Sequence, residues 1–524
     1  MKRIIKAIIT VLTYILLATT ALVLATAIYI RQSFPEQGID EMLFYLTSGL
    51  EGTSNDVFIT GIQQGIIPFL IILLFLILPL IKFKKRENRI EISIRKKKLN
   101  IHIFPLRRLR LIYALFTLAI ALFACYKMLG VDEYLDQLNA ESTFIEDHYV
   151  SGTDVSITFP EEKRSLIILY LESMENSFID RESGGGWPYT VIPELEQIAR
   201  ENINFSNTGK IGGPLPTQGT DWTVASLFST TSGLPLKIPV GQNRYRYSDD
   251  FMPGAYALGD ILKQEGYQLS AMFGSNAKFG GRKNYYKSHG DYKVFDVNTA
   301  IHEGKMTASE KVWWGFDDSD LFKWAKEEIS TLAQGEQPFN FTFLTANTHF
   351  TDGYLEEGAG NKYDTQYENV YAYSSKQVQE FVTWLKGQDF YENTTLVILG
   401  DHLSMQGGGF FPAHLNKEYQ RTIYNAFLNT TTKPVQPKNR TFSLLDMYPT
   451  ILASIGVNIE GDRLGLGTNL FSDKQTLFEQ YGRKHVNDQL AVNSRFYNQN
   501  ILQDDYLELL KQAEEEQVKE KKEE

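Results

Sequence analysis

Residues 395–405 read TLVILGDHLSM, an apolar run that breaks at Gly400 and then offers a carboxylate and an imidazole side by side, Asp401 and His402. Such a run, closed by glycine, reads as a strand buried on both faces, of the kind that lies under helices in a parallel sheet. In open α/β sheets ligands bind beyond the carboxyl ends of such strands, which is where this pair falls. A plain turn also carries Asp-His, with the Asp as its cap, so the weight of the pair depends on the company it keeps.

The same grammar recurs from residue 165 onward. SLIILYLE reads as a strand, and PELEQIARENINFSNT as an amphipathic helix feeding another. ALGDILKQEGYQLSAMFG, DLFKWAKEEISTLAQGEQPFNFTFLTANTH and YSSKQVQEFVTWLKGQDFYENTTLVILGDH each run helix, turn, strand. Repeated βα units predict an α/β domain over 161–480, a mostly parallel sheet with helices on both faces. Residues 481–524 are expected as a carboxyl-terminal extension, whose run KQAEEEQVKEKKEE predicts a frayed helix or disorder.

The first 130 residues are of another kind. Apolar runs at about 7–30, 58–81 and 111–129 predict three membrane-spanning helices, since about 20 residues cross a hydrocarbon core. Residues 131–160, mixed and polar, are expected as a linker. Between the second and third runs, residues 82–110 hold twelve Lys or Arg against Glu87 and Glu91. That loop is therefore predicted cytoplasmic together with Lys2, Arg3 and Lys6, which leaves everything after the third run extracytoplasmic in a multi-pass cell-membrane protein. A basic run can also serve nucleic acid, but between two apolar spans it reads first as topology. With ten net positive charges in the loop and three more at the amino terminus, the chain total of −11 leaves about −24 on the remainder. An exterior this acidic repels polyanions, so an anionic substrate there needs a local cation such as a metal. The single cysteine, Cys125, lies in the third run; it rules out a disulfide within the chain and suits a Gram-positive-like bacterial surface.

Four expected strand ends carry polar side chains out of keeping with their runs: Glu172 after LIILYL, His349 after FTFLTANT, Asp401-His402, and Thr220 in PTQGTDWTVAS, read as lying at or near the cap of a following helix. Alone, Thr220 reads as a helix cap, Glu172 as a solvated side chain and His349 as a loop histidine. Together, two carboxylates, an imidazole and a hydroxyl form a hard donor set suited to Mn²⁺, Mg²⁺ or Zn²⁺. A metal touching Thr220 Oγ would make that hydroxyl a nucleophile, and its natural target would be phosphorus.

With LYLESMENSFID, GTDWTVASLFSTTSGLPL, FGSNAKFGGRKNYYKSHG, WWGFDDSDLF, LTANTHFTDGY, VILGDHLSM, LLDMYPTILASIGV and LGLGTNLF in this order, the chain resembles the membrane-bound phosphoglycerol transferases of the alkaline phosphatase and sulfatase-like superfamily over about 164–472. These include lipoteichoic acid synthases and the enzyme that decorates periplasmic glucans. The resemblance implies one Mn²⁺ or Mg²⁺ on Glu172, Thr220, Asp401 and His402, with Thr220 the nucleophile. It implies that His349 orients glycerol phosphate or protonates the leaving oxygen, and that Arg282 contacts substrate. Where lipoteichoic acid synthases carry Asp and Trp before that arginine, this chain has Ser275 and Gly280. That favours the glucan-modifying branch and single transfer over polymerisation, with Asn276 and Lys278 as further substrate contacts.

The activity so implied moves glycerol phosphate from phosphatidylglycerol to a glycan, glycolipid or teichoic-type acceptor through a phospho-threonine. A sulfatase needs Cys or Ser in a C/S-x-P/A-x-R context, which the region around Thr220 lacks. A phosphoethanolamine transferase of the same fold and an inactive lipid- or glycan-binding ectodomain are the alternatives. Arg421, as a bidentate phosphate contact, and Asn425 are open as pocket residues.

Overall fold

The computed structural model describes residues 1–33, 39, 55–81, 89–94, 97–102, 109–237, 251–407 and 409–503. The charged run at 511–524 and the acidic residues Glu36, Asp40, Glu41 and Glu51 of the first loop lie outside them. Two compact units divide the chain near residue 136.

Among the described residues of the amino-terminal unit, two helices are long and apolar enough to cross a membrane, Arg3–Arg31 and Arg110–Met128. The run expected as the second span forms the helix Asn55–Ile77 and a following turn, Leu78–Leu80, and the apolar helical stretch found there among the described residues, Gln64–Leu80, is shorter than a full crossing. The segment read as a plain basic loop contains a hairpin, Arg89–Ile94 paired antiparallel with Lys97–His102.

Among the described residues, the second unit is built on a six-stranded sheet: β1 (Ser165–Leu171), β2 (Gln268–Phe273), β3 (Lys293–Phe295), β4 (Phe339–Leu344), β5 (Thr394–Gly400) and β6 (Asn425–Leu428). Their order is β3-β2-β4-β1-β5-β6, parallel except for β6, which runs antiparallel to β5. β1 is apolar throughout because both of its faces are covered. Leu166, Ile168 and Tyr170 enter one core, and Ile167, Leu169 and Leu171 the other. On the first side pack α2 (Thr223–Ser232), α3 (Leu258–Gln264) and α6 (Met447–Ser454); on the second, α1 (Pro193–Glu201), α4 (Asp318–Leu332) and α5 (Gln366–Lys386).

The segment after α1, expected as a strand, makes a single bridge instead, Ile203 with Phe427. Side chains complete the join there. Asn425 Nδ2 donates to Phe205 O at 2.8 Å and Gly212 O at 3.1 Å, and its Oδ1 accepts from Phe205 N at 2.9 Å. Asn425 is thus a staple at the sheet edge. Asn425→Leu strands buried backbone groups at Phe205 and Gly212, and is expected to lower unfolding stability by roughly 3 kcal/mol, measured by urea titration.

Candidate active site

Register explains why two carboxylates meet. In the parallel pairing of β1 with β5, Leu171 lies opposite Gly400, so the next residues, Glu172 and Asp401, leave neighbouring strands side by side. Gly400 is required here, because a Cβ would stand 1.9 Å from Met174 O. β4 lies on the other side of β1 and leads to His349, so the residues predicted at strand ends come from three adjacent parallel strands.

Glu172, Asp401 and His402 are buried, and one ligand atom from each lies within 4.8 Å of the others. His402 Nδ1 donates to Leu403 O at 2.8 Å, and Nε2, the ring's other nitrogen, lies 3.5 Å from Glu172 Oε1 and 3.4 Å from Asp401 Oδ2. Asp401 Oδ1 accepts from Ser173 N at 2.7 Å and His402 N at 2.8 Å, whereas Oδ2 is buried with no hydrogen bond among the described residues. Burial, and then the charge of Glu172, push the Asp401 carboxyl up to about 7. Burial is also the largest influence on Glu172 and acts upward, yet His349, His402 and the Ser173 hydroxyl leave it below the usual carboxylate range. An orphaned carboxylate oxygen, a second carboxylate and an imidazole nitrogen converging out of water fit a divalent cation.

The hydroxyl beside this cluster is not the one expected. Thr220 Oγ donates to Thr217 O at 2.8 Å and lies 3.5 Å from Asp221 Oδ1, so it is bound within its own turn. Thr223 Oγ lies 3.4 Å from Glu172 Oε2 and 3.4 Å from His402 Nε2. Thr220 lies near the cap of the following helix, as expected, but is not itself the cap: α2 begins at Thr223 with Trp222 as its N-cap residue. The physical reason is Asp221, whose Oδ1 also accepts from Thr217 N at 3.1 Å, folds residues 217–221 into a closed turn and delays the helix. That side chain, one after Thr220, was the signal for the shift.

His349 is half-buried, with Trp314 at 4.8 Å and Phe350 at 4.7 Å between ring centres. Its Nδ1 donates to Phe350 O at 2.6 Å, and burial lowers its pKa below the ordinary histidine value. Arg282 is buried. It donates to Ser275 Oγ and Asn276 O, each at 2.9 Å, and to Phe279 O at 3.2 Å, so it holds its own loop while its charge reaches His349. On that loop Asn276 Oδ1 accepts from Lys278 N at 3.0 Å, and the Lys278 side chain is exposed. Arg421 makes a fork with the buried Glu175, at 2.9 and 3.2 Å, and also donates to Ser404 O at 2.6 Å. Its bidentate partner is thus a carboxylate of this chain.

A family model described as Sulfatase matches residues 164–457. Phosphoglycerol transferase I of Salmonella choleraesuis is 30% identical over 338 residues, 62% of this chain and 41% of that protein. Its namesake in Escherichia fergusonii is 30% identical over 329 residues, 60% of this chain and 40% of that protein. The chain therefore spans about two fifths of the length of these curated relatives. Among solved structures, the lipoteichoic acid synthase LtaP of Listeria monocytogenes aligns with a TM-score of 0.45 at 17% identity, covering 63% of this chain and 82% of that one. The phosphoethanolamine transferase EptA of Neisseria meningitidis aligns with a TM-score of 0.49 at 14% identity, covering 92% and 87%.

A bound cation requires Asp401 deprotonated, so protons compete with it below the raised pKa. The affinity for Mn²⁺, measured by calorimetry, is expected to be about tenfold weaker at pH 6 than at pH 8.

Proposed function

The chain belongs to the sulfatase family, and from that premise we propose that it transfers glycerol phosphate from phosphatidylglycerol to a hydroxyl of an extracytoplasmic glycan or teichoic-type acceptor. The observation that carries this reading is the hydroxyl of Thr223, at the first turn of α2 and 3.4 Å from both Glu172 and His402. The 30% identity to phosphoglycerol transferases supports the head group.

Glu172, Asp401 and His402 hold one Mn²⁺ or Mg²⁺, with Thr223 in the place expected of Thr220. When bound, the ion supplies positive charge that stabilises phosphoryl oxygens and lowers the pKa of a contacting hydroxyl. Thr223 Oγ attacks phosphorus, the bond from phosphorus to the diacylglycerol oxygen breaks, that oxygen takes up the proton given up by the threonine hydroxyl, and a glycerophosphoryl-threonine remains. The N-terminus of α2 favours the anionic phosphoryl oxygens at this point. An acceptor hydroxyl then attacks the same phosphorus, and the threonine is released. His349, neutral at pH 7 with its Nδ1–H committed to Phe350 O, presents Nε2 to take the acceptor's proton and pass it to the departing threonine oxygen. Arg282 contributes charge and a fixed loop, from which Asn276 and Lys278 reach the substrate. Ser275 and Gly280, in place of an Asp and a Trp, favour single transfer to a glycan.

In this reading the apolar runs cross the membrane three times, the basic segment stays cytoplasmic, and the catalytic unit works outside, close to a donor that never leaves the bilayer.

With head-group-labelled phosphatidylglycerol and membranes containing the protein, label is expected in a glycan fraction. Thr223→Ala is expected to lower transfer by at least about a thousandfold, and Thr220→Ala by less than about tenfold. Equal losses in both variants, or label from phosphatidylethanolamine instead, would sink the assignment.

A further inference from the structure

Ser173 follows Glu172 and is fully buried, with a backbone φ of 54°. That is the left-handed region, which a residue other than glycine occupies at a cost and only where its surroundings hold it. In this conformation the residue touches both carboxylates of the site at once. Its N–H donates to Asp401 Oδ1 at 2.7 Å, and its hydroxyl donates to Glu172 Oε1 at 2.7 Å. Ser173 thus engages one oxygen of each carboxylate and none of the other two, Asp401 Oδ2 and Glu172 Oε2. The first is the orphan, and the second faces Thr223 Oγ.

What holds Ser173 is a tyrosine. The hydroxyl of Tyr371, fully buried on α5 with its ring stacked on Phe178 at 3.9 Å, donates to Ser173 O at 2.8 Å. One turn earlier on the same helix, the Tyr367 hydroxyl donates to Thr348 O at 2.9 Å and meets Ser404 Oγ at 2.6 Å. Thr348 precedes His349, and its own hydroxyl donates to Glu172 O at 2.5 Å; Ser404 lies two residues beyond His402. Two hydroxyls spaced i, i+4 on one helix therefore reach the segments after β1, β4 and β5, which carry Glu172, His349 and Asp401-His402.

We infer that Ser173 and Tyr371 are positioning residues of the metal site: Ser173 fixes one oxygen of each carboxylate and so sets the direction of the other, and Tyr371 locks the strained backbone that lets it do so. The inference rests on the reading that Glu172, Asp401 and His402 hold a divalent ion. Groups that orient metal ligands typically account for about 10- to 100-fold in affinity, and that is the range expected here.

The test is the dissociation constant of Mn²⁺ for the purified full-length chain in detergent, by isothermal titration calorimetry, with folding checked by circular dichroism. Ser173→Ala and Tyr371→Phe are each expected to bind about 10- to 100-fold more weakly than the unaltered protein. Ser173→Gly, which also lacks the hydroxyl but adopts the left-handed backbone freely, is expected to bind more tightly than Ser173→Ala. Tyr424→Phe, which removes an equally buried hydroxyl that donates to Leu195 O, is expected to leave the constant within twofold. If Ser173→Ala or Tyr371→Phe folds and binds within twofold of the unaltered protein, the inference is overturned while the metal reading stands. If the unaltered protein binds no Mn²⁺, both are overturned.

Discussion

Everything at this site depends on the register of two neighbouring strands. Because Leu171 pairs with Gly400, the chain cannot avoid placing Glu172 beside Asp401 where both strands end. Two carboxylates in that position repel, and burial adds to the cost of keeping both charged. The adjacent imidazole does not settle the matter: His402 gives its Nδ1 proton to Leu403 O and turns Nε2 toward the carboxylates. A divalent cation would relieve all three groups together, and the buried Oδ2 of Asp401, with no hydrogen bond among the described residues, is an oxygen suited to it.

The neighbouring structure serves this arrangement. Gly400 lets Met174 O approach, and Ser173 takes a backbone that favours glycine in order to face both carboxylates. α2 brings Thr223 to the edge of the cluster at its first turn, where backbone N–H groups are still unpaired within the helix. Trp314 packs against His349, which gives a role to part of the WWGFDDSDLF motif. Its Asp318, buried at the start of α4, accepts from Ala346 N at 2.8 Å and Asn347 N at 3.2 Å, just before that histidine. Arg421, a natural candidate for phosphate, is instead spent neutralising Glu175.

Glu172 and the Asp401-His402 pair were legible because each follows an unbroken apolar run, and a run buried on both faces leaves its first polar residue at the strand end; His349 lies beyond Thr345, Asn347 and Thr348, after a strand that itself carries Asn340 and Thr342. β3 and β6 were less legible, being short strands at the sheet edges. The hydroxyl that lies beside the cluster comes three residues later than expected because Thr220 and Thr223 are the same chemical group. Which one faces inward is decided by a turn that Asp221 closes, and hydropathy does not register that. Ser173 was invisible for a related reason: its role lies in a positive φ. At the front of the chain, apolar length predicted three crossings, while two helices meet the requirement among the described residues.

The most direct measurement is the site of covalent modification. Protein quenched in acid during turnover of phosphatidylglycerol, then digested and sequenced by mass spectrometry, is expected to carry a glycerophosphoryl group on Thr223. The same group on Thr220, or a chain that turns over donor and acceptor with no modified threonine at all, would contradict the account.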